Sequence, residues 1–284
     1  MTAEDVLAVV VSYNGREKTR LTVEALRGQV SHIHIVDNGS GAESLSILES
    51  LEQTPRVTIE RLAENRGVGH ALNRGVMRAR AMGCPWLLTM DQDSVIDRAM
   101  IAAYTAAIKR DPARVCLAPA IENNGATRVV GDDVIGYAIT SGNLVRVSVF
   151  DTIGLYDEGF FIDSIDFDFS LRLRKAGCSV CRVSGALMQH RVGEAVDVPR
   201  FLRRFYAQHP AVRRYYMCRN FLYMAERYFV RFPKFIAKLA LVHMIHVVLV
   251  GIFDPTPLRS YRAMASGMGD YFARKVGPYV ERPR

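Results

Sequence analysis

The sequence predicts an α/β protein whose first part forms a largely parallel sheet covered by helices on both faces. Short, strongly apolar segments alternate with longer amphipathic segments through the first two fifths of the chain, as strand–helix–strand units do. The apolar segments are continuous, as expected for strands that are buried on both faces. A chain of 284 residues can form one large domain, or one domain with an appendage.

The first strand is predicted at VLAVVVSY, and the amphipathic helix that follows ends at Gly28. Further strands are predicted at HIHIVDNGS, RVTIERL and WLLTM, with helices at AESLSILESLE and GHALNRGVMRARAMG between them. In parallel sheets, ligands bind beyond the carboxyl ends of the strands. We therefore expect the polar residues after these strands to share one edge: Tyr13 and Asn14, Asp37 and Asn38, Asn65 and Arg66, and Asp91 and Asp93.

The segment LLTMDQDS ends a predicted buried strand with two carboxylates, Asp91 and Asp93, one residue apart. In an extended chain, residues i and i+2 point to the same side. Both carboxylates can therefore face a divalent cation, a water molecule or a phosphoryl group, and the residues alone leave these three uses open.

Charge is unevenly distributed along the chain. Residues 1–199 hold 21 Lys and Arg against 25 Asp and Glu, whereas residues 200–284 hold 16 against 4. This predicts a catalytic domain over 1–199 and a basic, mainly helical region over 200–284 that faces an anionic partner. The apolar stretch 239–253 is shorter than the roughly 20 residues that span a bilayer, which leaves a buried helix or a helix in a membrane interface.

The start of the chain and its cysteines predict a cytoplasmic protein. The opening MTAEDVLAVVVSYNG is acidic and continues into a strand, so we expect no secretory signal. The number of cysteines is odd, which argues against a disulfide framework. Cys178 and Cys181 form one C-x-x-C without a second pair, so no zinc site is expected.

Six segments occur in the following order: VVVSYNG, IHIVDNGS, AENRGVGHALNRG, LLTMDQDS, SGNLVR, and FIDSIDFDFSLRLRKAG followed by QHRVG. Together they resemble the inverting family 2 glycosyltransferases with the GT-A fold. The resemblance is closest to the bacterial rhamnosyltransferase branch, which uses dTDP-L-rhamnose. It implies a mixed sheet with helices on both faces and a helical C-terminal extension.

The same resemblance implies roles for individual residues. The donor would be a dTDP-sugar or a UDP-sugar, with Asp37 at the nucleotide base and the segment 65–73 lining the nucleotide pocket. Asp91 and Asp93 would hold Mg²⁺ or Mn²⁺ against the donor diphosphate, and His190 would lie near the same diphosphate or metal. The full predicted donor-binding set is Tyr13, Asn14, Asp37, Asn65, Arg66, Asn73, Asp91 and Gly142.

A sugar acceptor must lose its hydroxyl proton as the new bond forms, and a carboxylate can accept that proton. Asp163, Asp166 and Asp168 stand at the start of a predicted helix, where acidic residues also cap free amides and suit the helix dipole. The resemblance aligns Asp166 with the family's catalytic base and leaves Asp163 as the alternative. Ile165 stands where the family more usually has glutamate, a departure that the rhamnosyltransferase branch shares in kind.

Two other classes of protein fit single features. In a haloacid dehalogenase-like phosphatase, Asp91 would be the phosphorylated nucleophile, although that residue normally ends the first strand of its domain. A nucleic-acid-binding protein is suggested by the isoelectric point of about 9.4 and by arginines among aromatic residues in RRFYAQHPAVRRYYMCRNF. It leaves the acidic strand ends unexplained.

The sequence therefore predicts a metal-dependent glycosyltransferase that moves L-rhamnose. The predicted acceptor is a saccharide of a bacterial surface polysaccharide or a lipid-linked glycan, and no nucleic acid partner is expected. We also expect peripheral binding at the inner face of the cell membrane, through the basic region 200–284.

Overall fold

A computed structural model of the chain describes residues 1–122, 131–190, 199, 202 and 205–280. The chain divides into two compact units. The first comprises Met1–Asp157 with Asp166–Arg191, and the second comprises Glu158–Ile165 with Val192–Arg284. The functional division at residue 199 stays a prediction.

Strands and helices follow one another along the described chain with these bounds. The strands are β1 (Val6–Ser12), β2 (His32–Asp37), β3 (Val57–Arg61), β4 (Trp86–Asp91), β5 (Ser94–Ile96), β6 (Cys116–Glu122), β7 (Asp133–Ile135), β8 (Asn143–Arg146) and β9 (Val180–His190). The helices are α1 (Glu17–Leu26), α2 (Ala42–Glu52), α3 (Val68–Ala81), α4 (Met100–Arg110), α5 (Val149–Ile153), α6 (Ile165–Lys175), α7 (Ala211–Tyr228), α8 (Pro233–Phe253) and α9 (Pro257–Phe272). Short 3-10 helices occur at Ala3–Asp5 and Glu158–Phe160.

These strands form one mixed sheet in the order β3-β2-β1-β4-β8-β6-β9-β5, and β7 pairs with β9. β1 is parallel to both of its neighbours, β2 and β4, and β3 continues the parallel part. The direction changes at β8, which is antiparallel to β4 and to β6. The predicted mixed α/β sheet and the helical C-terminal region are thus confirmed.

The core of the first unit is built around β1. Every residue of β1 is buried, in agreement with its continuous apolar sequence. Helix α3 lies very close to this strand at Gly75, where an added Cβ would come within 2.5 Å of Val9 Cβ. Only a residue without a side chain permits this approach between a helix and the sheet.

Two arginines of the second unit are buried and bind groups inside that unit. Arg214 and Arg219 are both 0% exposed. The Arg219 guanidinium donates hydrogen bonds to the carbonyl oxygens of Gly159, Phe160 and Gly277 at 2.8–3.1 Å. Arg214 forms an ion pair with Asp254 at 2.7 Å. The arginines of RRYYMCRN therefore do not all form a surface for nucleic acid.

Helix α8 contains the long apolar stretch of the C-terminal region. The helix has 21 residues and begins at Pro233, six residues before the apolar stretch, because proline fits the first turn of a helix. Its inward face includes Ile236, Leu239 and Leu249, while several large apolar side chains on other faces are exposed. The apolar stretch is therefore not buried throughout within this chain, and the choice between a buried and an interfacial helix stays a prediction.

We predict that the Gly75→Ala variant is destabilised by about 1–3 kcal/mol, because the new methyl group overpacks the contact with Val9. The matched control is Gly269→Ala in α9, where an added Cβ meets nothing within 4 Å. That substitution should stabilise the protein by up to about 1 kcal/mol, because alanine favours helix. Urea unfolding of both variants measures the difference. An equal effect of the two substitutions would contradict the close helix–sheet contact.

Candidate active site

The parallel pairing around β1 brings two carboxylates to one edge of the sheet. In the strand register Ser12 lies beside Asp37 on one side, and Val11 lies beside Asp91 on the other. Neighbouring strands are about 4.8 Å apart, so Asp37 and Asp91 stand about 10 Å apart across β1. This edge is where a parallel sheet binds its ligands.

The loops after β1 and β2 are tied together by side chains. The Asp37 carboxylate accepts hydrogen bonds from the backbone N–H of Ser40, at 3.2 Å, and from the Ser40 hydroxyl. The backbone N–H of Asn14 donates to Ser40 Oγ at 2.8 Å, and Asn14 Oδ1 accepts from the backbone N–H of Gly41 at 2.9 Å. The predicted residues Asn14 and Asp37 thus belong to one hydrogen-bonded cluster.

Asn38 holds the loop that precedes α3; the sequence predicted it at this edge but not in the donor-binding set. Its Oδ1 accepts from the backbone N–H of Arg66 at 2.9 Å, and its Nδ2 donates to the carbonyl of Gly67 at 3.1 Å. Asn65 Oδ1 accepts from the backbone N–H of Gly67 at 2.9 Å. The predicted residues Asn65 and Arg66 are therefore fixed beside the end of β2. A polar residue directly after a buried strand was the available signal for Asn38.

Asn73 has a structural contact that the sequence did not indicate. Its amide donates to the carbonyl of Tyr156 at 3.0 Å and accepts from the backbone N–H of Tyr156 at 2.9 Å. The side chain is 4% exposed, so this pair of bonds satisfies buried polar groups. A contact between Asn73 and a nucleotide stays a prediction.

The segment 91–93 forms a turn, so the expectation of an extended chain is wrong at this point. β4 ends at Asp91, and Gln92 and Asp93 turn into β5. The Gln92 amide accepts from the backbone N–H of Tyr13 at 2.7 Å and donates to the Tyr13 carbonyl at 3.1 Å. The turn that carries both carboxylates is thereby fastened to the end of β1. The Tyr13 side chain is 45% exposed at the same edge.

Two buried serines hold the turn from the other side. The backbone N–H of Asp91 donates to Ser141 Oγ at 3.1 Å, and the Ser141 hydroxyl donates to Ser94 Oγ at 2.7 Å. Both serines are 0% exposed. Because these bonds fix the backbone beside Asp91, the carboxylate does not depend on a flexible loop for its position.

Gly142 lies next to this serine pair in a left-handed conformation, with φ of 81°. Its N–H donates to the Thr89 carbonyl at 2.7 Å, and its carbonyl accepts from the Tyr104 hydroxyl at 2.7 Å. An added Cβ would lie 2.6 Å from Pro119 Cγ. Both polar groups of Gly142 are thus engaged within the protein, and its contact with a donor stays a prediction.

The side chains at the turn are of a kind that can hold a divalent metal ion. Asp91 and Asp93 are both partly exposed, and carboxylate oxygens suit Mg²⁺ and Mn²⁺. In the described part of the chain, no group of three or more His, Cys, Asp or Glu side chains is arranged to hold a metal. Two carboxylates are sufficient where a diphosphate and water supply the other ligands, so the residues fit such an ion.

His190 can be placed only by its backbone. It pairs with Ser94 in the ladder between β5 and β9, so its backbone lies beside the residue that follows Asp93. The side chain of His190 lies outside the described atoms, and its role near the metal stays a prediction.

The three acidic residues near the start of α6 differ in their partners. Asp166 lies in the first turn of α6 and accepts a hydrogen bond from the backbone N–H of Phe167 at 2.9 Å. Asp168 is 1% exposed and pairs with Arg172 at 2.8 Å. In the second unit, both oxygens of Asp163 accept hydrogen bonds from Arg213 at 2.9–3.2 Å. Asp168 and Asp163 are therefore each held by an arginine.

The loop 137–142 joins α6 to the carboxylate turn. The backbone N–H of Ala138 donates to Ser170 Oγ at 3.4 Å, and Ser170 lies one helical turn after Asp166 on the same face. Three residues further along the loop, Ser141 binds the backbone of Asp91. Ser170 and Ser141 thus connect the first part of α6, through one short loop segment, to the backbone of Asp91.

Tyr137 was also missed by sequence reasoning, because GYAIT follows no pattern with a chemical meaning. Its ring contacts that of Phe167 edge-to-face, with centroids 4.7 Å apart and planes at 71°. Burial, and after it the negative charge of Asp166, raises the pKa of the Tyr137 phenol. The Tyr137 phenol and the Asp166 carboxylate are therefore close enough to interact electrostatically.

Comparison with solved structures identifies the fold. A solved structure described as "Crystal structure of GalNAc-T7 with UDP, GalNAc and Mn2+" matches with a TM-score of 0.56 and 18% sequence identity. The match covers 65% of this chain and 43% of that chain, so this chain spans less than half of that protein's length. At this identity the likeness shows the fold alone, which is GT-A.

Sequence comparisons are more specific. The dTDP-rhamnosyl transferase RfbF of Shigella flexneri is 25% identical over 243 residues, which are 76% of this chain and 78% of the relative. The profile of the family described as "Glycosyl transferase family 2" matches residues 7–153. This segment contains the carboxyl ends of β1, β2 and β4 and the loops that follow them. The chain belongs to glycosyl transferase family 2 and is a glycosyltransferase with the GT-A fold.

Proposed function

We propose that the protein transfers L-rhamnose from dTDP-L-rhamnose to a saccharide hydroxyl, with inversion at the anomeric carbon and with Mg²⁺ or Mn²⁺. The observation that carries the proposal is the parallel register that brings Asp37 and the 91–93 turn to one edge of the sheet, with the 137–142 loop between that turn and α6. Family membership supplies the reaction type. The dTDP-rhamnosyl transferase relative supports the choice of rhamnose and of dTDP over UDP.

The donor would lie along the carboxyl ends of β1, β2 and β4. Asp37 would accept a hydrogen bond from the pyrimidine ring N–H, and the exposed Tyr13 ring would pack on the base. Arg66, which is exposed in the loop before α3, would lie near the diphosphate. Asp91 and Asp93 would hold the cation, which neutralises charge on the leaving diphosphate when it is bound.

Asp166 would act as the general base. The acceptor oxygen attacks the anomeric carbon on the face opposite the diphosphate, and its proton passes to the Asp166 carboxylate. The bond between the anomeric carbon and the diphosphate oxygen breaks, and dTDP leaves with the electron pair. Asp163 is the alternative base, and both Asp163 and Asp168 form ion pairs with arginines.

We further propose that the second unit contacts an anionic membrane surface on the cytoplasmic side, where a lipid-linked glycan would be the acceptor. An 18-residue window of α8 has a mean hydropathy of 2.2, and 22% of that window is buried within the chain. By length and composition α8 could therefore cross a membrane, as the core helices of some soluble proteins also could. One face presents Leu241, Met244 and Ile252, each 53–65% exposed, after Lys234 and Lys238 at the start of the helix. Exposed apolar residues beside basic ones favour an anionic interface.

The structure and the family match do not favour a phosphatase or a nucleic-acid-binding protein. Asp91 ends the fourth strand, not the first, and the family match covers the segment that carries it. Arg214 and Arg219 are buried in the second unit, which leaves fewer of its arginines for a phosphate backbone.

Removal of the metal should stop transfer. We predict that EDTA, or the Asp93→Ala substitution, lowers the rate of rhamnosyl transfer about a hundredfold or more, because charge on the leaving diphosphate is no longer neutralised. Glu49→Ala, an exposed position on α2, is the matched control and should keep the wild-type rate. The measurement is dTDP release with dTDP-L-rhamnose over a range of Mn²⁺ concentrations. An Asp93→Ala enzyme with the wild-type rate and Mn²⁺ dependence would disprove the metal assignment.

The base assignment is tested by three amide variants. Asp166→Asn should lower turnover by about 10²- to 10⁴-fold, because the amide cannot accept the acceptor's proton. Its dTDP affinity should stay near wild type, since the lost interaction belongs to the transition state.

Asp163→Asn and Asp168→Asn serve as matched controls for the base. Each weakens an ion pair with an arginine, so the melting temperature should fall while the turnover of the folded enzyme stays within a few fold of wild type. An active Asp166→Asn beside an inactive, folded Asp163→Asn would move the base to Asp163. Activity in all three variants would remove the base from this segment.

Membrane contact is tested by flotation with liposomes. Wild-type protein should float with vesicles that contain anionic phospholipid and detach as salt rises, because the attraction is screened within about 10 Å at 0.1 M salt. Lys234→Glu with Lys238→Glu should weaken flotation without lowering the rate on a soluble acceptor. Lys109→Glu with Lys175→Glu, a charge reversal of the same size in the first unit, should float normally. Equal binding to neutral and anionic vesicles would contradict the electrostatic part of the proposal.

A further inference from the structure

Tyr137 is a large aromatic side chain that remains 43% exposed beside the first turn of α6. It lies in the loop between β7 and β8, and its ring contacts the ring of Phe167, the residue after Asp166. The pKa of its phenol is raised by burial and by the charge of Asp166. The ring therefore lies on the first turn of α6, the turn that carries the proposed base Asp166.

The backbone on both sides of Tyr137 is attached to α6. The Ala138 N–H donates to Ser170 Oγ at 3.4 Å, and Arg174 Nη1 donates to the Gly136 carbonyl at 3.5 Å. These are long hydrogen bonds, but they act together with the contact between the aromatic rings. The ring thus has a defined position relative to Asp166, and a ligand that binds it does not need to order a mobile loop.

The chemistry of an exposed aromatic ring beside a carboxylate matches one class of ligand. A pyranose ring has faces formed mainly by C–H groups and a rim of hydroxyls. An aromatic ring offers an apolar surface of similar size, while a carboxylate accepts a hydrogen bond from one hydroxyl on the rim. Small-molecule sites commonly combine such an apolar surface with a few polar groups that set the orientation.

We propose that Tyr137 is the platform for the accepting pyranose, whose apolar face packs on the phenol ring while one hydroxyl points to Asp166. This inference rests on the proposed function in taking Asp166 as the base. It adds a residue for acceptor recognition, in a loop that also supports the carboxylate turn through Ser141.

Substitutions at Tyr137 separate this role from simple packing on Phe167. Tyr137→Ala should raise the acceptor KM about fivefold, which corresponds to about 1 kcal/mol for the lost aromatic contact. Its affinity for dTDP and the pH dependence of kcat should match the wild type, since donor site and base are intact. Tyr137→Phe keeps the ring and should restore the acceptor KM to within about twofold. Val134→Ala, which removes an exposed apolar side chain from β7, is the control and should change neither KM nor kcat.

A second readout keeps the test independent of the donor's identity. Saturation-transfer NMR with methyl α-L-rhamnopyranoside, methyl β-D-glucopyranoside and methyl β-D-galactopyranoside, in the presence of dTDP and the diamagnetic ion Mg²⁺, reports contact between protein and sugar. At least one glycoside should show transfer with wild type and Tyr137→Phe, and lose it with Tyr137→Ala.

The outcomes distinguish this inference from the proposed function. If wild type transfers no rhamnose yet the NMR signal depends on the ring, the proposed donor fails and the platform stands. If rhamnose is transferred while Tyr137→Ala keeps the wild-type acceptor KM and NMR signal, the platform is wrong and the proposed function stands. Equal losses in Tyr137→Phe and Tyr137→Ala would overturn the platform as well, because the hydroxyl and not the ring would then bind the acceptor.

Discussion

Parallel pairing of β1 between β2 and β4 is the constraint on which the first unit depends. β1 is buried throughout, so it must be apolar, and its neighbours run parallel to it. The carboxyl ends of parallel neighbours lie at the same edge of the sheet. The polar residues of three strand ends are therefore concentrated in one place by the same pairing that forms the core. Gly75 lets α3 pack against the middle of this strand.

Hydrogen bonds from amide side chains hold the loops of the first unit in position. Asn38, Asn73 and Gln92 each make two hydrogen bonds to the backbone of a distant segment. An amide has both a donor and an acceptor, so it can pair with backbone much as a neighbouring strand does. Loops held in this way keep charged side chains in place before a ligand arrives, and preorganised charge is more effective than charge on mobile groups.

Charge has different uses in the two units. In the first unit, the carboxylates of Asp37, which is 1% exposed, and of the partly exposed Asp91 and Asp93 lie near the ends of β2 and β4, whereas Asp168 forms an ion pair with Arg172. In the second unit, Arg214 and Arg219 are buried and bind Asp254 and backbone carbonyls. The net positive charge of residues 200–284 therefore overstates the charge that this unit offers to a partner. Only exposed cations, such as Lys234 and Lys238, contribute to a surface potential.

The sequence by itself determined the alternation of strands and helices, the acidic strand ends and the family. These features are local, since hydrophobic periodicity and the residues that follow a strand are visible within a short window. The tertiary structure alone decided which of these polar side chains form hydrogen bonds or ion pairs with distant parts of the chain. Gln92 binds Tyr13 across 79 residues of chain, and Arg213 binds Asp163 across 50. No local pattern encodes such pairs, because they exist only after the sheet order of the first unit and the packing within the second have brought distant segments into contact.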